Sequence, residues 1–150
     1  MKATKAYSSS DVEKILRKKN LLDDILKTLD DEAMSIHDLD HKDLKKIIIE
    51  KFTSKGWGTK VKVFYDSASY LDLILNKTVI QIQFGHRSQS YYDLLKFATL
   101  MYKNKVDSCV LLIPAKKYAF GNRTNIDIFV NHNEEFENFL NIPLLILEVS

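Results

Sequence analysis

The feature that most constrains this chain is an apolar hairpin that carries a single acid. Asp72 lies within the apolar residues 71–75, and the dipeptide Asn76-Lys77 separates this run from a second apolar run. If the dipeptide forms a two-residue turn, Asp72 faces Gln81, with Cβ atoms about 4.5–5.5 Å apart. Since strand side chains alternate, Gln83 shares the face of Gln81. The sequence therefore predicts a polar cluster of Asp72, Gln81 and Gln83.

The residues alone leave two interpretations of this cluster open. A carboxylate among leucines is costly to bury unless it is paired or bound to a cation, which favours a functional role for Asp72. The alternative is an edge-strand acid that faces water. Gln81 and Gln83 have the same alternative, because both could be solvated strand residues.

Helical patterns dominate the first third of the chain. Apolar residues at helical spacing between residues 12 and 29 indicate one long helix, or two shorter ones broken near Asn20. Ser10 and Glu13 have the spacing of a capping box at its start. A further helix is predicted from about residue 40 to residue 54, where the glycines of residues 55–58 would end it.

The rest of the chain alternates between strand and helix patterns. Strands are predicted at residues 61–65, in the hairpin, and at residues 106–113 and 126–130, and residues 144–149 form a last strand or a tail. Helices are predicted at residues 132–138 and after a second capping box at Ser90 and Asp93. This order predicts an α/β fold, in which α-helices flank a mixed central β-sheet. We expect one domain over residues 1–150, helical over about 1–55, with the sheet core over 57–150.

Composition limits the class of protein further. The 150 residues suit one domain, and the sequence contains neither an apolar run that would cross a membrane nor the pattern of a signal peptide. Cys109, the single cysteine, lies in an apolar run and is predicted to be an inert core thiol, which suits a reducing cytoplasm. The net charge of +2 does not demand nucleic acid, but basic and acidic residues are segregated along the chain.

The hairpin resembles a known nuclease signature. A strand acid followed across a hairpin by a Glu-x-Lys-like pair marks the PD-(D/E)xK nuclease fold, in which restriction endonucleases of the BglII and BstYI type carry Gln in place of Lys. Those enzymes continue with Phe-Gly and a helix containing Tyr-Asp-Leu. This chain reads Gln81-Ile82-Gln83-Phe84-Gly85 and then Tyr92-Asp93-Leu94. The resemblance runs from about Trp57 to the C-terminus and implies a restriction-endonuclease-like fold.

The same resemblance implies a function and a metal. It implies a type II restriction endonuclease, acting as a homodimer on a palindromic site in double-stranded DNA, with a GATC-centred site as one option. Asp72 would bind Mg²⁺, the Ile82 backbone carbonyl would add a ligand, and Gln83 would position the attacking water. The chain departs from the family at Gln81, where the family has Glu. An amide offers Mg²⁺ only a neutral oxygen, so we expect DNA binding with little or no cleavage.

Candidate DNA contacts lie in two further segments. His86, Arg87 and Ser88 follow Gly85, where the resemblance places them beside the scissile phosphate. The loop of residues 115–124 combines cations, an amide and aromatic rings, and an equivalent loop reads base edges in the resembling family. Its candidate contacts are Lys116, Lys117, Asn122 and Arg123. The alternative for this segment is an ordinary basic loop.

Several questions stay open on the sequence alone. Gln81 is either a laboratory substitution or the mark of a natural protein that has lost its chemistry. A non-catalytic DNA-binding module on the same fold is the main alternative function, and an unrelated α/β interaction protein is a third.

Overall fold

A six-stranded mixed sheet runs through the protein. A computed structural model describes residues 1–9, 11–30, 40–119, 121–130 and 141–150. The strands are β1 (Ala3–Ser8), β2 (Gly58–Lys62), β3 (Tyr70–Leu75), β4 (Thr78–Ile82), β5 (Ser108–Pro114) and β6 (Leu144–Val149). Their order across the sheet is β1-β6-β5-β4-β3-β2. The β4–β5 and β5–β6 pairs are parallel and the other three are antiparallel, so the predicted mixed sheet is confirmed.

Helices cover both faces of this sheet. They are α1 (Val12–Lys18), α2 (Leu22–Leu29), α3 (His41–Thr53), α4 (Ser88–Tyr102) and the short α5 (Asp127–Val130), with a 3₁₀ turn at Lys116–Tyr118. One buried cluster joins α1, α2 and α3 to one face of the sheet. A second cluster joins α4 to the opposite face. The hairpin therefore lies between two apolar layers, which fix its position.

The hairpin has the predicted turn and register. Asn76 and Lys77 have φ values of 47° and 60°, as a two-residue turn of the hairpin type requires. Leu73 pairs with Ile80, and the ladder continues through the two pairs nearer the turn. Backbone pairing of β3 with β4 stops at Leu73 and Ile80. Asp72 therefore lies just beyond the end of the ladder.

Two helix boundaries agree with the sequence. The apolar stretch of residues 12–29 forms two helices, and Asn20 between them has a φ of 59°. Such positive values suit Asn, whose short side chain tolerates the left-handed region. Gly56, which follows the end of α3, also has a positive φ, 89°, which glycine adopts without strain.

Other local predictions were wrong. Residues 126–130 were predicted as a strand, but α5 begins at Asp127, whose backbone N–H donates to Asn125 Oδ1 over 2.9 Å. That local bond turns the backbone away from an extended path. The strand predicted at residues 61–65 is β2, which begins and ends three residues earlier, at Gly58 and Lys62. The N-terminal strand β1 was missed, because its mostly polar sequence lacks a clear alternation and its pairing with β6 is distant in sequence.

The second capping box was also wrong. Helix α4 begins at Ser88, not after Ser90. The Ser90 hydroxyl bonds to Thr124 Oγ1 instead, and the Asp93 carboxylate pairs with Lys96. Ser10 of the first box and the helix predicted at residues 132–138 lie outside the described residues. Within the part of the chain that the structure describes, no helix has both the length and the apolar character needed to span a membrane.

Cys109 provides a test of this core. It is fully buried in β5, and burial raises the pKa of its thiol far above the usual range. Because the thiolate is the reactive form, we expect the native protein to resist a thiol reagent such as DTNB. Labelling should follow the rate of unfolding and become fast in denaturant. Rapid labelling of the native protein would contradict the described packing of β5.

Candidate active site and DNA-binding cleft

The polar site forms where β3 and β4 part. Beyond the Leu73–Ile80 pair, side chains replace the backbone ladder. The Ile82 backbone N–H donates to Asp72 Oδ2 over 2.8 Å, and the Asp72 backbone N–H donates to Gln81 Oε1 over 3.2 Å. Asp72 and Gln81 therefore meet as the sequence predicts. The carboxylate is largely shielded, with 16% of the side chain exposed.

Lys45 completes this site from helix α3. Its ammonium lies 2.8 Å from Asp72 Oδ1 and donates to the Ile82 carbonyl oxygen over 3.2 Å. The ammonium thus contacts both groups for which the sequence predicts a metal role. On the sequence alone, Lys45 belonged to a basic cluster on a helix face. Its spacing from the buried Ile48 and Phe52 is the signal that could have placed it toward the sheet.

Gln83 is held by different partners. Its Nε2 donates to Asp93 Oδ2 over 2.6 Å, and its Oε1 accepts from the Gly85 backbone N–H over 3.0 Å. Asp93, which is 1% exposed, is also paired with Lys96 Nζ over 2.8 Å. The structure therefore connects Gln83 to helix α4 rather than to Asp72. The role of Gln83 as a water-positioning residue stays a prediction.

Two neighbouring clefts share Lys45. We call the first the hairpin cleft; its polar lining includes Asp72, Gln81, Lys45, Tyr92 and Lys96. We call the second the basic cleft, since its cations outnumber its one acid; its polar lining is Asp40, His41, Lys42, Lys45, Gln83, His86, Asn122 and Arg123. Lys45 lines both clefts, so its side chain connects the basic cleft with the site of Asp72.

Parts of the two predicted DNA-contacting segments lie side by side at the basic cleft. The Arg87 backbone N–H donates to the Asn122 carbonyl over 2.8 Å, and His86 and Arg123 form an isolated antiparallel bridge. Arg123 Nη1 lies 2.9 Å from His41 Nε2. His86, Asn122 and Arg123 are thus brought together, with Arg87 adjacent in sequence and structure. These contacts depend on segments that are more than thirty residues apart, so local patterns could not show them.

The remaining predicted contacts, Ser88, Lys116 and Lys117, line neither cleft. Ser88 begins α4, where its hydroxyl lies 2.8 Å from His86 Nδ1. Lys116 pairs with Asp127 over 2.7 Å, and the Lys117 ammonium lies 4.7 Å from the centre of the Tyr118 ring. Neither lysine lines the hairpin cleft or the basic cleft. Their role in DNA binding stays a prediction.

The oxygen atoms at the parted end of the hairpin suit a hard divalent cation. Asp72 offers a carboxylate, Ile82 a carbonyl and Gln81 an amide oxygen, and Mg²⁺ prefers such ligands. These three ligands carry one negative charge in total, on Asp72. Among the described residues, no group of three or more His, Cys, Asp or Glu side chains could hold a metal ion. The residues therefore fit Mg²⁺ in kind, with less charge than a pair of carboxylates would give.

Comparison with known proteins identifies the family. Residues 4–148 match the family described as restriction endonuclease BglII/BglIII, so the chain belongs to this family. The predicted resemblance is confirmed. The chain is thus a site-specific deoxyribonuclease by class, and type II restriction endonucleases of this fold generally use a divalent metal ion.

Solved structures show the same fold. The chain is similar to restriction endonuclease BglII crystallised with a DNA 16-mer, with 13% identity, a TM-score of 0.82, and coverage of 100% of this chain and 78% of that chain. It is also similar to free BglII, with 13% identity, a TM-score of 0.74, and coverage of 100% and 80%. A search of curated proteins gave no match. The restriction-endonuclease-like fold predicted from the sequence is confirmed.

The buried Asp93–Lys96 ion pair next to the site should be essential to the stability of the fold. Removing one partner of a buried ion pair leaves an uncompensated charge and typically lowers stability by about 3–5 kcal/mol. We expect Lys96→Met to lower the free energy of unfolding by that order, measured by urea denaturation. Lys46→Met is the matched control, because Lys46 is exposed on α3, and its effect should stay within about 0.5 kcal/mol.

The double variant Asp93→Asn/Lys96→Met separates charge from packing. It removes both charges, so it should recover part of the stability lost in Lys96→Met. If the double variant is as unstable as the single one, the uncompensated charge is not the cause.

Proposed function

We propose that this protein is a Mg²⁺-dependent type II restriction endonuclease that hydrolyses phosphodiesters at a palindromic site in double-stranded DNA, with its activity weakened by Gln81. The observation that carries the proposal is the position of Asp72 at the parted end of the hairpin. Its carboxylate and the Ile82 carbonyl oxygen converge there on one cation, the Lys45 ammonium, beside a basic cleft. These two groups would hold the metal ion.

The chain's own residues divide the chemical work. When bound, Mg²⁺ supplies an activated water and neutralises charge that develops on the phosphate. Asp72 would bind the ion, and its carboxylate is held in position by the hydrogen bond from the Ile82 backbone N–H. Gln83 would position the water, as its place in the family motif suggests. The two apolar layers around the hairpin limit the movement of these groups, which favours a reactive geometry.

Gln81 should weaken this chemistry without altering the fold. Its side chain is almost fully buried and its Oε1 accepts the Asp72 backbone N–H. A carboxylate of the same shape at position 81 would accept this bond and add a second negative charge. One observation supports the main alternative function, a DNA-binding module that does not cleave. The Asp72 carboxylate is already paired with the Lys45 ammonium.

The basic cleft is the proposed DNA-binding surface. Arg123, His86 and Asn122 line it, and we assign Arg87, Ser88, Lys116 and Lys117 to further DNA contacts. BglII is described in complex with DNA, and this chain shares its fold. A palindromic site has two-fold symmetry, so a homodimer is the natural assembly, and a GATC-centred site remains one option. We place the enzyme in the cytoplasm, where DNA is accessible and Cys109 would stay reduced.

Restoring the second acid should restore cleavage. We expect Gln81→Glu to raise the Mg²⁺-dependent cleavage rate by more than about 100-fold, because even outer-shell partners of a metal site are typically worth 10–100-fold. The assay uses long unmodified DNA, in which any short palindrome occurs many times, and gel analysis of discrete fragments. The double variant Gln81→Glu/Asp72→Asn should be inactive.

This experiment also decides between the two functions. Discrete fragments from Gln81→Glu support the endonuclease. If the variant folds and binds DNA but never cleaves it with Mg²⁺ or Mn²⁺, the endonuclease proposal fails and the non-catalytic module remains.

DNA binding should depend on salt through the basic cleft. Phosphate contacts release counterions, so affinity should fall linearly with salt on logarithmic axes. We expect Arg123→Met to weaken binding to a mixed-sequence duplex in EDTA and to reduce the slope by about one. Arg17→Met is the control, since Arg17 is on α1 and lies 3.7 Å from Asp23. Equal slopes for both variants would exclude Arg123 as a phosphate contact.

A further inference from the structure

Lys45 contacts both oxygens that would hold a metal ion. Its ammonium lies 2.8 Å from Asp72 Oδ1 and 3.2 Å from the Ile82 carbonyl oxygen. We infer that Lys45 is a built-in counter-ion at the metal position, and that a divalent cation binds there only when this ammonium withdraws. The inference rests on the proposed function, because it takes Asp72 and Ile82 as the ligands of the ion.

Geometry makes the ammonium and the ion exclusive. Mg²⁺ binds its oxygen ligands at about 2.0–2.1 Å, closer than the ammonium approaches either oxygen. An ion bound to Asp72 Oδ1 and the Ile82 carbonyl would occupy the space where Lys45 Nζ now lies. Like charges at such separations repel strongly in a partly shielded site. The ion and the ammonium therefore compete for the same two atoms.

The charge balance of the hairpin cleft favours the ammonium. Asp72 carries one negative charge, Gln81 carries none, and Lys45 supplies one positive charge. The neighbouring Asp93–Lys96 pair is balanced in the same way. The four charges sum to zero, so a divalent cation that entered with Lys45 in place would leave an excess of two positive charges. Withdrawal of Lys45 reduces that excess.

The side chain of Lys45 has a route away from Asp72. It is 35% exposed, compared with 16% for Asp72, and it lines the basic cleft as well as the hairpin cleft. A DNA phosphate in the basic cleft would offer the ammonium another anionic partner, because a lysine binds phosphate as a mobile point charge. Lys45 is thus a positioning residue that couples DNA binding to metal entry.

The test measures metal binding directly, without cleavage. Titration calorimetry with MgCl₂ and Mn²⁺ electron paramagnetic resonance are compared for the unsubstituted protein, Lys45→Met and Lys46→Met. We expect Lys45→Met to bind the ion at least about tenfold more tightly, because the competing unit charge is removed. Lys46→Met should match the unsubstituted protein, since Lys46 is exposed and lines neither cleft. Equal affinities in the unsubstituted protein and Lys45→Met, or no binding by either, would overturn the inference.

A second measurement avoids dependence on the folding of Lys45→Met. In the unsubstituted protein, the Cε resonance of Lys45 is followed by NMR during a MgCl₂ titration, and its position in Asp72→Asn marks an ammonium that has lost its carboxylate partner. Metal binding should move the resonance toward that position. If the ion binds while the resonance stays unchanged, Lys45 does not compete with it.

The experiments distinguish failure of the endonuclease proposal from failure of the counter-ion inference. If Gln81→Glu cleaves DNA but removal of Lys45 leaves metal affinity unchanged, only the counter-ion inference is wrong. If removal of Lys45 strengthens metal binding but Gln81→Glu never cleaves, the proposed hydrolysis is wrong and the counter-ion inference stands.

Discussion

The end of the β3–β4 ladder is the constraint on which the site depends. Two strands that pair to their ends would leave no backbone group free for a side chain. Here pairing stops at Leu73 and Ile80, and the N–H and carbonyl of Ile82 are bound by Asp72 and Lys45. The separation of the strands thus creates one donor and one acceptor at fixed positions. A carboxylate and a cation fill them, and this arrangement defines the chemistry of the hairpin cleft.

Rigid packing around this opening keeps it in place. The helices α1, α2 and α3 bury one face of the sheet and α4 buries the other, so the hairpin cannot shift without disturbing a core. The buried bond from Gln83, the residue that follows β4, to Asp93 connects this end of the strand to α4 next to the site. A polar network of this kind is strong only when every member has a partner, and Lys96 completes it. The site is therefore supported from helices on both sides of the sheet.

Prediction from the sequence succeeded where local rules apply. The turn at Asn76-Lys77 follows from its backbone preferences, and the register of the hairpin and the meeting of Asp72 with Gln81 follow from the turn. It failed where distant segments compete with local signals. Ser90 matched a capping pattern, but its hydroxyl bonds to Thr124, which is 34 positions away in the sequence. Edge strand β1 was missed for the same reason, since its partner is at the other end of the chain.

The sequence by itself determined the hairpin, the family motif and the single negative charge left by Gln81, because each depends on neighbours along the chain or on residue identity. Only the tertiary structure decided which cation faces Asp72. Lys45 lies 27 positions away in the numbering, on a helix whose exposed face carries similar lysines. Helical spacing from Ile48 and Phe52 indicates that Lys45 faces the sheet, but its meeting with Asp72 depends on how α3 packs over the sheet, through apolar contacts between distant segments.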